Sequence, residues 1–223
     1  MNKKILSLVA CAVLFMAISV QAQQGKWIGT VKYKLTYEGA VSPQAPTEYE
    51  IKVYENKGTT GNAFVKAITN ATAKSITTMF DLSSVPVDGV QGKWYTRKKV
   101  TDEDMNKVTY VFTGNTKQMA GKTVKEVHVT YKDDDDEEKQ ETIWACDEIG
   151  PVIDLMFYLG LKGMPFEFTA EGQGVVVKYE VVELTPNNVK ETEVLLESGY
   201  EEVTEEELQE MVSILNGGGE DDI

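Results

Sequence analysis

The residues best suited to chemistry in this 223-residue chain are few and poorly placed for it. It has two cysteines and one histidine. A nucleophilic cysteine needs an electropositive setting that favours the thiolate. Cys146 is instead followed by Asp147 and Glu148, whose charges disfavour a second negative group beside them. A Cys146–His128 dyad would need a third group to orient the base, and none stands out. Cys146 therefore reads as a small apolar filler beside Trp144. His128 alternates with Val127 and Val129, which turns it toward solvent.

Other chemistry is equally thin. The run from Asp133 to Glu138 is all acidic, but it lacks the spaced ligands and the glycine of an EF-hand loop. It reads as a solvated hairpin tip, with a weak adventitious cation site as the alternative. The 36 acids allow many pairs for glycoside hydrolysis, yet nothing singles out two of them. No Ser/His/Asp order, nucleophile elbow, glycine-rich phosphate loop or zinc spacing occurs. Asn70-Ala71-Thr72 is a glycosylation sequon of a kind common by chance. The sequence thus offers no catalytic residue, no metal site and no cofactor site.

The elements that carry these residues read mostly as β. Trp27, Val31, Tyr33, Leu35 and Tyr37 share one face of an alternating segment, with Thr30, Lys32, Lys34 and Thr36 on the other. Tyr49–Val53, Val108–Phe112, Val127–Tyr131 and Val175–Val181 repeat the pattern. Weaker strand signals cover Ala63–Thr69, Lys74–Leu82, Lys93–Lys99 and Val189–Leu196. The count is about nine to eleven strands at hairpin spacing, without the helices a doubly wound fold needs. A mainly β fold is expected, a curved antiparallel sheet or half-barrel.

Two helices interrupt the strands. Thr204 and Glu207 form a T-x-x-E capping box, and Leu208, Met211, Val212 and Leu215 then fall on one helical face. Pro151–Leu159 opens with a proline suited to a first helical turn and is apolar almost all round. Both helices are expected to pack on the concave face of the sheet.

The N-terminus reads as an export leader. Lys3 and Lys4 precede the apolar run Ile5–Val20, which is too short to span a membrane. Val20-Gln21-Ala22 supplies small residues for cleavage after Ala22. Leu8-Val9-Ala10-Cys11 resembles a lipobox, but too few apolar residues precede it and too many follow. The expected organisation is a signal peptide 1–22, one β-rich domain 23–216 and an acidic tail 217–223, in a periplasmic or secreted protein. Cleavage removes Cys11, so Cys146 is left without an internal disulfide partner.

The whole chain carries 22 basic and 36 acidic side chains, a net charge of −14. Loss of Lys3 and Lys4 makes it more negative still, and Arg97 is the one arginine. That balance argues against nucleic acid and against docking on anionic lipid. Nothing in the sequence fixes the oligomeric state, and no segment reads as integral to a membrane. The remaining signal is large apolar side chains clustered in sequence: Trp94, Trp144, Leu155, Met156, Phe157, Phe166 and Phe168. They are the fabric of a core or, on the sharper reading, the wall of a groove for a hydrophobic ligand.

The second half of the chain resembles an uncharacterised family of secreted Bacteroidetes proteins. The resemblance is carried by Gly121-Lys122-Thr123, Trp144-x-x-Asp147-Glu148-Ile149, Leu161–Phe168, Ser198-Gly199-Tyr200 and the closing helix. That family is similar in architecture to lipoprotein-carrier (LolA/LolB-like) half-barrel proteins, whose cavity takes acyl chains. Val124 stands where relatives carry a cysteine or aromatic, which removes any disulfide to Cys146. The resemblance implies a non-enzymatic envelope protein that binds a lipid or a lipoprotein acyl chain. The alternative is a protein-interaction or envelope-sensor module with a filled core. The leader gives the first prediction: protein purified from its host begins at Gln23, as read by intact mass.

Overall fold

The computed structural model describes residues 27–86, 90–132, 136–150, 158–172 and 174–215. The expected leader, the body of the Pro151–Leu159 helix and the tail from residue 217 lie outside them. The described strands join one open sheet of twelve. β1 (Ile28–Glu38), β2 (Glu48–Tyr54), β3 (Lys57–Gly61), β4 (Val65–Asn70), β5 (Ser75–Asp81) and β6 (Lys93–Lys99) form a meander, each pairing with the next. A short helix α1 (Asp102–Asn106) then leads to a second meander: β7 (Val108–Met119), β8 (Lys122–Lys132), β9 (Glu138–Cys146), β10 (Met164–Gly172) and β11 (Val175–Pro186). β11 pairs with β1 and joins the two halves. β12 (Glu201–Glu202) adds a two-residue parallel strand beyond β6, and α2 (Glu205–Leu215) follows it.

The connection from β6 to β7 dictates curvature. In sheet order these strands are ten spacings apart, roughly 48 Å if the sheet were flat. From Lys99 to Val108 the chain covers at most about 30 Å fully extended, and α1 shortens it further. The edges must bend toward each other, so the sheet is an open, half-barrel-like curve.

The two halves bury different sides. On one side Val31, Tyr33, Leu35, Ile51, Val53, Val127, Val129, Ile143, Phe166 and Phe168 form the main core. Ile149, Tyr158 and Leu161 cover it from the β9–β10 connection. On the other side the register lines up Thr30, Lys52, Thr59, Ile68 and Thr77 across five strands. All but Lys52 are buried. Buried Val189 and Val194 belong to the segment after β11, which returns over β2 and β3. The buried threonines find local partners: Thr59 Oγ1 donates to the Ala67 carbonyl at 3.0 Å and Thr30 Oγ1 to Asn188 Oδ1 at 3.1 Å. β1 sits at the crossover, with consecutive Gly29, Thr30 and Val31 all buried.

Several expectations change. Val189–Leu196 is no strand; Glu191–Val194 forms a 3-10 turn inside the returning strap. Lys190 and Glu193 cap it locally, so the apolar spacing serves to anchor Val194 rather than to pair with the sheet. β3 escaped the sequence reading because Lys57-Gly58-Thr59-Thr60-Gly61 lacks apolar alternation. α2 keeps its capping box, with the Thr204 N–H donating to Glu207 at 2.7 Å and the Glu207 N–H to Thr204 at 3.1 Å. Its apolar face is covered in part: Leu208 and Met211 are half-buried and Val212 is exposed.

Two tests follow. Phe166→Ala opens a cavity at a fully buried site and is expected to lower unfolding free energy by about 3–5 kcal/mol in urea denaturation. Gly163→Ala forces a side chain onto a backbone with φ of +115° and within 2.5 Å of the Cys146 carbonyl. It should destabilise the protein by more than the ~1 kcal/mol at the centre of the range for point substitutions, as read by urea denaturation.

Candidate functional site

The structure separates the groups that could have done covalent chemistry. Cys146 is fully buried, and burial pushes its thiol pKa up despite backbone N–H groups from Glu148 and Ile149. His128 is exposed and pairs across the sheet with Thr142, four residues before Cys146. Of the acidic run, the described Asp136, Glu137 and Glu138 are exposed, and Asp136 pairs with Lys132 at 2.6 Å. No cluster of three or more potential metal-ligating side chains occurs among the described residues.

What the core side does offer is a row of rings. Tyr49 on β2, Tyr33 on β1, Tyr179 on β11 and Phe168 on β10 follow one another across four adjacent strands. Tyr33 meets Tyr49, Phe168 and Tyr179 at centroid distances of 6.1, 6.1 and 6.2 Å. Phe168 stacks on Tyr179 at 4.6 Å, and Tyr158 packs edge-on against Phe168 at 5.3 Å. The Tyr33 hydroxyl donates to the Pro165 carbonyl at 2.7 Å, which fixes that ring. Tyr33, Phe168 and Tyr158 are buried, whereas Tyr49 and Tyr179 are half-exposed. Cross-strand aromatic contacts of this kind stabilise a sheet while leaving a polarisable apolar surface.

Beyond Tyr158 the row opens into a cavity of about 270 Å³ lined by Val108, Tyr131, Glu141, Tyr158 and Ala170, with Lys107 and Lys132 among the charged wall residues. Tyr110, Val129 and Glu141 form one cross-strand row there. Burial raises the Glu141 carboxyl pKa, although Tyr158 donates a hydrogen bond to it. Burial likewise pushes the Tyr110 and Tyr158 phenols above their ordinary range. The Tyr110 hydroxyl donates to the Leu159 carbonyl at 2.8 Å. This is a recess of mixed lining, with Val108, Tyr131, Tyr158 and Ala170 beside Thr169, two lysines and the carboxyls of Glu141 and Glu171.

A second recess lies on the opposite side, under the returning strap. One part, of about 460 Å³, is lined by Glu50, Lys52, Thr60, Asn62, Thr192 and Glu193. It shares Lys66 and Glu197 with a part of about 320 Å³ that reaches Phe64 and Tyr200. Ion pairs hold the strap: Lys57–Glu191 at 2.7 Å, Lys66–Glu197 at 2.8 Å, and Lys52–Glu193. The Lys190 backbone N–H and the Lys52 ammonium hold the Glu193 carboxyl below its ordinary pKa. Its lining is also mixed, with lysines, glutamates and threonines beside Phe64, Met79 and Tyr200.

The seven residues expected to wall a groove divide among different places. Phe166 and Phe168 are core residues. Trp144 pairs across the sheet with Glu167, the residue between them, and so points to the other side. There the Lys117 ammonium sits 4.3 Å from its ring centroid. Lys117 and Lys178 both bond Glu167 and outweigh its burial, keeping it below its ordinary pKa. Trp94 lies on β6 in the far half of the sheet, its indole N–H donating to the Val90 carbonyl at 3.2 Å. Leu155, Met156 and Phe157 lie outside the described residues. The tyrosines of the aromatic row were legible as core-face positions on their strands, but only the β1–β11 pairing brings them together.

No family model matches the sequence, and no curated protein matches it. Among solved structures, two crystal forms of PNGF-II superpose with TM-scores of 0.55 and 0.56 at 13% identity. Each match covers 83% of this chain, while the chain spans about a third of PNGF-II. At that identity the likeness defines the fold alone. A domain described as an outer membrane lipoprotein-sorting protein, from Vibrio parahaemolyticus, superposes with a TM-score of 0.24 at 8% identity, too low to define a common fold. The class that emerges is an open, curved antiparallel-sheet protein. No described helix is long and apolar enough to cross a membrane.

The raised pKa of Glu141 gives a signed prediction. The folded protein favours the protonated carboxyl, so its contribution is fully present below about pH 4.5 and is lost as pH rises through the folded pKa. Glu141→Gln removes that loss. Urea denaturation of both proteins at pH 4 and pH 7 should show the variant gaining on the wild type as pH rises.

Proposed function

We propose that this is an exported, non-enzymatic binding protein that takes up an amphiphile, such as a lipid or a lipoprotein acyl chain. Its apolar part would lie against the aromatic row and enter the recess beside Tyr158. The observation that carries this reading is the row itself. Half-exposed Tyr49 and Tyr179 continue a buried aromatic stack, which leads toward a recess where Val108, Tyr131, Tyr158 and Ala170 meet charged wall residues. Apolar surface of this kind is stabilised when a ligand removes it from water. Lys107 and Lys132, paired with Asp104 and Asp136 in this structure, would meet an anionic head group by exchanging those exposed partners. Export is inferred from the leader pattern, and the absence of catalysis from the poor inventory of nucleophiles and bases.

A second reading, a protein-interaction module of the envelope, draws on a different observation. Phe64 is 53% exposed, and Val65 beside it is also exposed, at the β3–β4 turn in the far half of the sheet.

Native mass spectrometry of protein purified from its host without detergent distinguishes the two. A bound mass that organic solvent removes is expected. Ala170→Trp fills the recess from its wall and should reduce that bound fraction about tenfold with folding intact by circular dichroism. A clean apo mass that host lipids leave unchanged would overturn the lipid reading.

A further inference from the structure

The two edges of the sheet are treated differently. Beyond β6 the chain adds β12, two glutamates long, and the Tyr95 hydroxyl donates to Glu202 at 2.9 Å. A short acidic edge discourages further pairing. The other edge is β7, twelve residues long. From Val108 to Thr116 it carries no charged side chain, in a chain of which 26% is charged. Its first five residues, Val108-Thr109-Tyr110-Val111-Phe112, are all β-branched or aromatic, with no proline or glycine. Val111 is 56% exposed and Phe112 39% exposed. The register breaks after Phe112, and pairing with β8 resumes at Thr116. The uninterrupted template is therefore Val108–Phe112.

Among the described residues, β7 pairs with β8 alone, and no backbone bond from another element reaches Val108–Phe112. α1, which precedes it, contributes no buried residue. A strand that pairs on one side presents its alternate N–H and C=O groups outward. Edges of this composition are ordinarily blocked by lysines, prolines or shortness, and β7 has none of these over this stretch.

We propose that the Val108–Phe112 edge of β7 is a strand-addition site for an extended peptide segment of a partner. The curvature argues for a single strand as the occupant. The crossover keeps the ends of β6 and β7 within about 30 Å of each other, room for a few strands spaced ~4.8 Å apart and too little for a second copy of the domain in sheet register. The segment it fits is uncharged, with β-branched and aromatic residues on both of its faces. Phe112 lies beside Val127 on the core side and Val111 beside His128 on the other, so each face offers an apolar neighbour to the incoming strand. This edge adjoins the recess, which Val108 also lines, but its backbone ladder does not rest on the lipid reading.

The probe is a synthetic peptide with the sequence of Lys107–Phe112. Laid antiparallel on β7, it sets Val against Phe, Thr against Val and Tyr against Tyr. Titrated into the full protein and followed by backbone amide NMR, it should shift amides in Val108–Phe112 and saturate below about 1 mM. Alternate amides in that stretch should exchange more slowly, and the amides of β6 should not move. The same peptide N-methylated at alternate residues should lose binding, because the ladder bonds are gone. No shift in β7 at saturating peptide, or equal binding by the N-methylated peptide, would overturn the proposal.

Discussion

The shape of this molecule depends on one short connection. Eight residues lead from the end of β6, near one edge of a twelve-stranded sheet, to the start of β7 at the other. They cannot cross a flat sheet of that width, so the sheet has to bend. The β1–β11 pairing then becomes the seam that holds two meanders as a single curved surface. That seam brings together residues from opposite ends of the sequence, and it is where both sides of the sheet are buried at once.

Curvature and burial together explain the placement of polar and apolar groups. On the core side a filled interior of valines, isoleucines and phenylalanines gives way to half-exposed tyrosines. On the opposite side of the first meander, buried threonines bond to carbonyls of neighbouring strands and stay covered by a strap held with lysine–glutamate pairs. Exposed ion pairs of that kind add little stability individually. The apolar anchors Val189 and Val194 contribute more to holding the strap. No buried side-chain polar atom among the described residues is left without a partner.

Much of the sheet was legible in the sequence. The alternation of Trp27–Tyr37 gave β1 nearly to the residue, and Lys93–Lys99 matched β6. The capping box of Thr204 and Glu207 marked α2 because both partners lie within one turn. Failures have physical causes. Val189–Leu196 carried the apolar residues of a weak strand signal, but Val189 and Val194 anchor an irregular strap instead. Val212 was placed on the apolar face of its helix and is exposed, because periodicity reports a helix face, not whether anything covers it. Trp144 was grouped with Phe166 and Phe168 by proximity in sequence. The register pairs Trp144 with Glu167 and so sends it to the other side. The members of the aromatic row were legible singly as apolar positions, but not as a row, since Tyr49 and Tyr33 are joined to Tyr179 and Phe168 only by the β1–β11 pairing, between strands far apart in sequence.

On the proposed function, the aromatic row and the recess beside it receive an amphiphile. A crystal structure of the protein, purified from its host without detergent, tests it most directly. The account predicts elongated density along Tyr179 and into the recess between Tyr131, Tyr158 and Ala170, with a polar end near Lys107 or Lys132. Ordered water alone in that recess and along Tyr179 would contradict it.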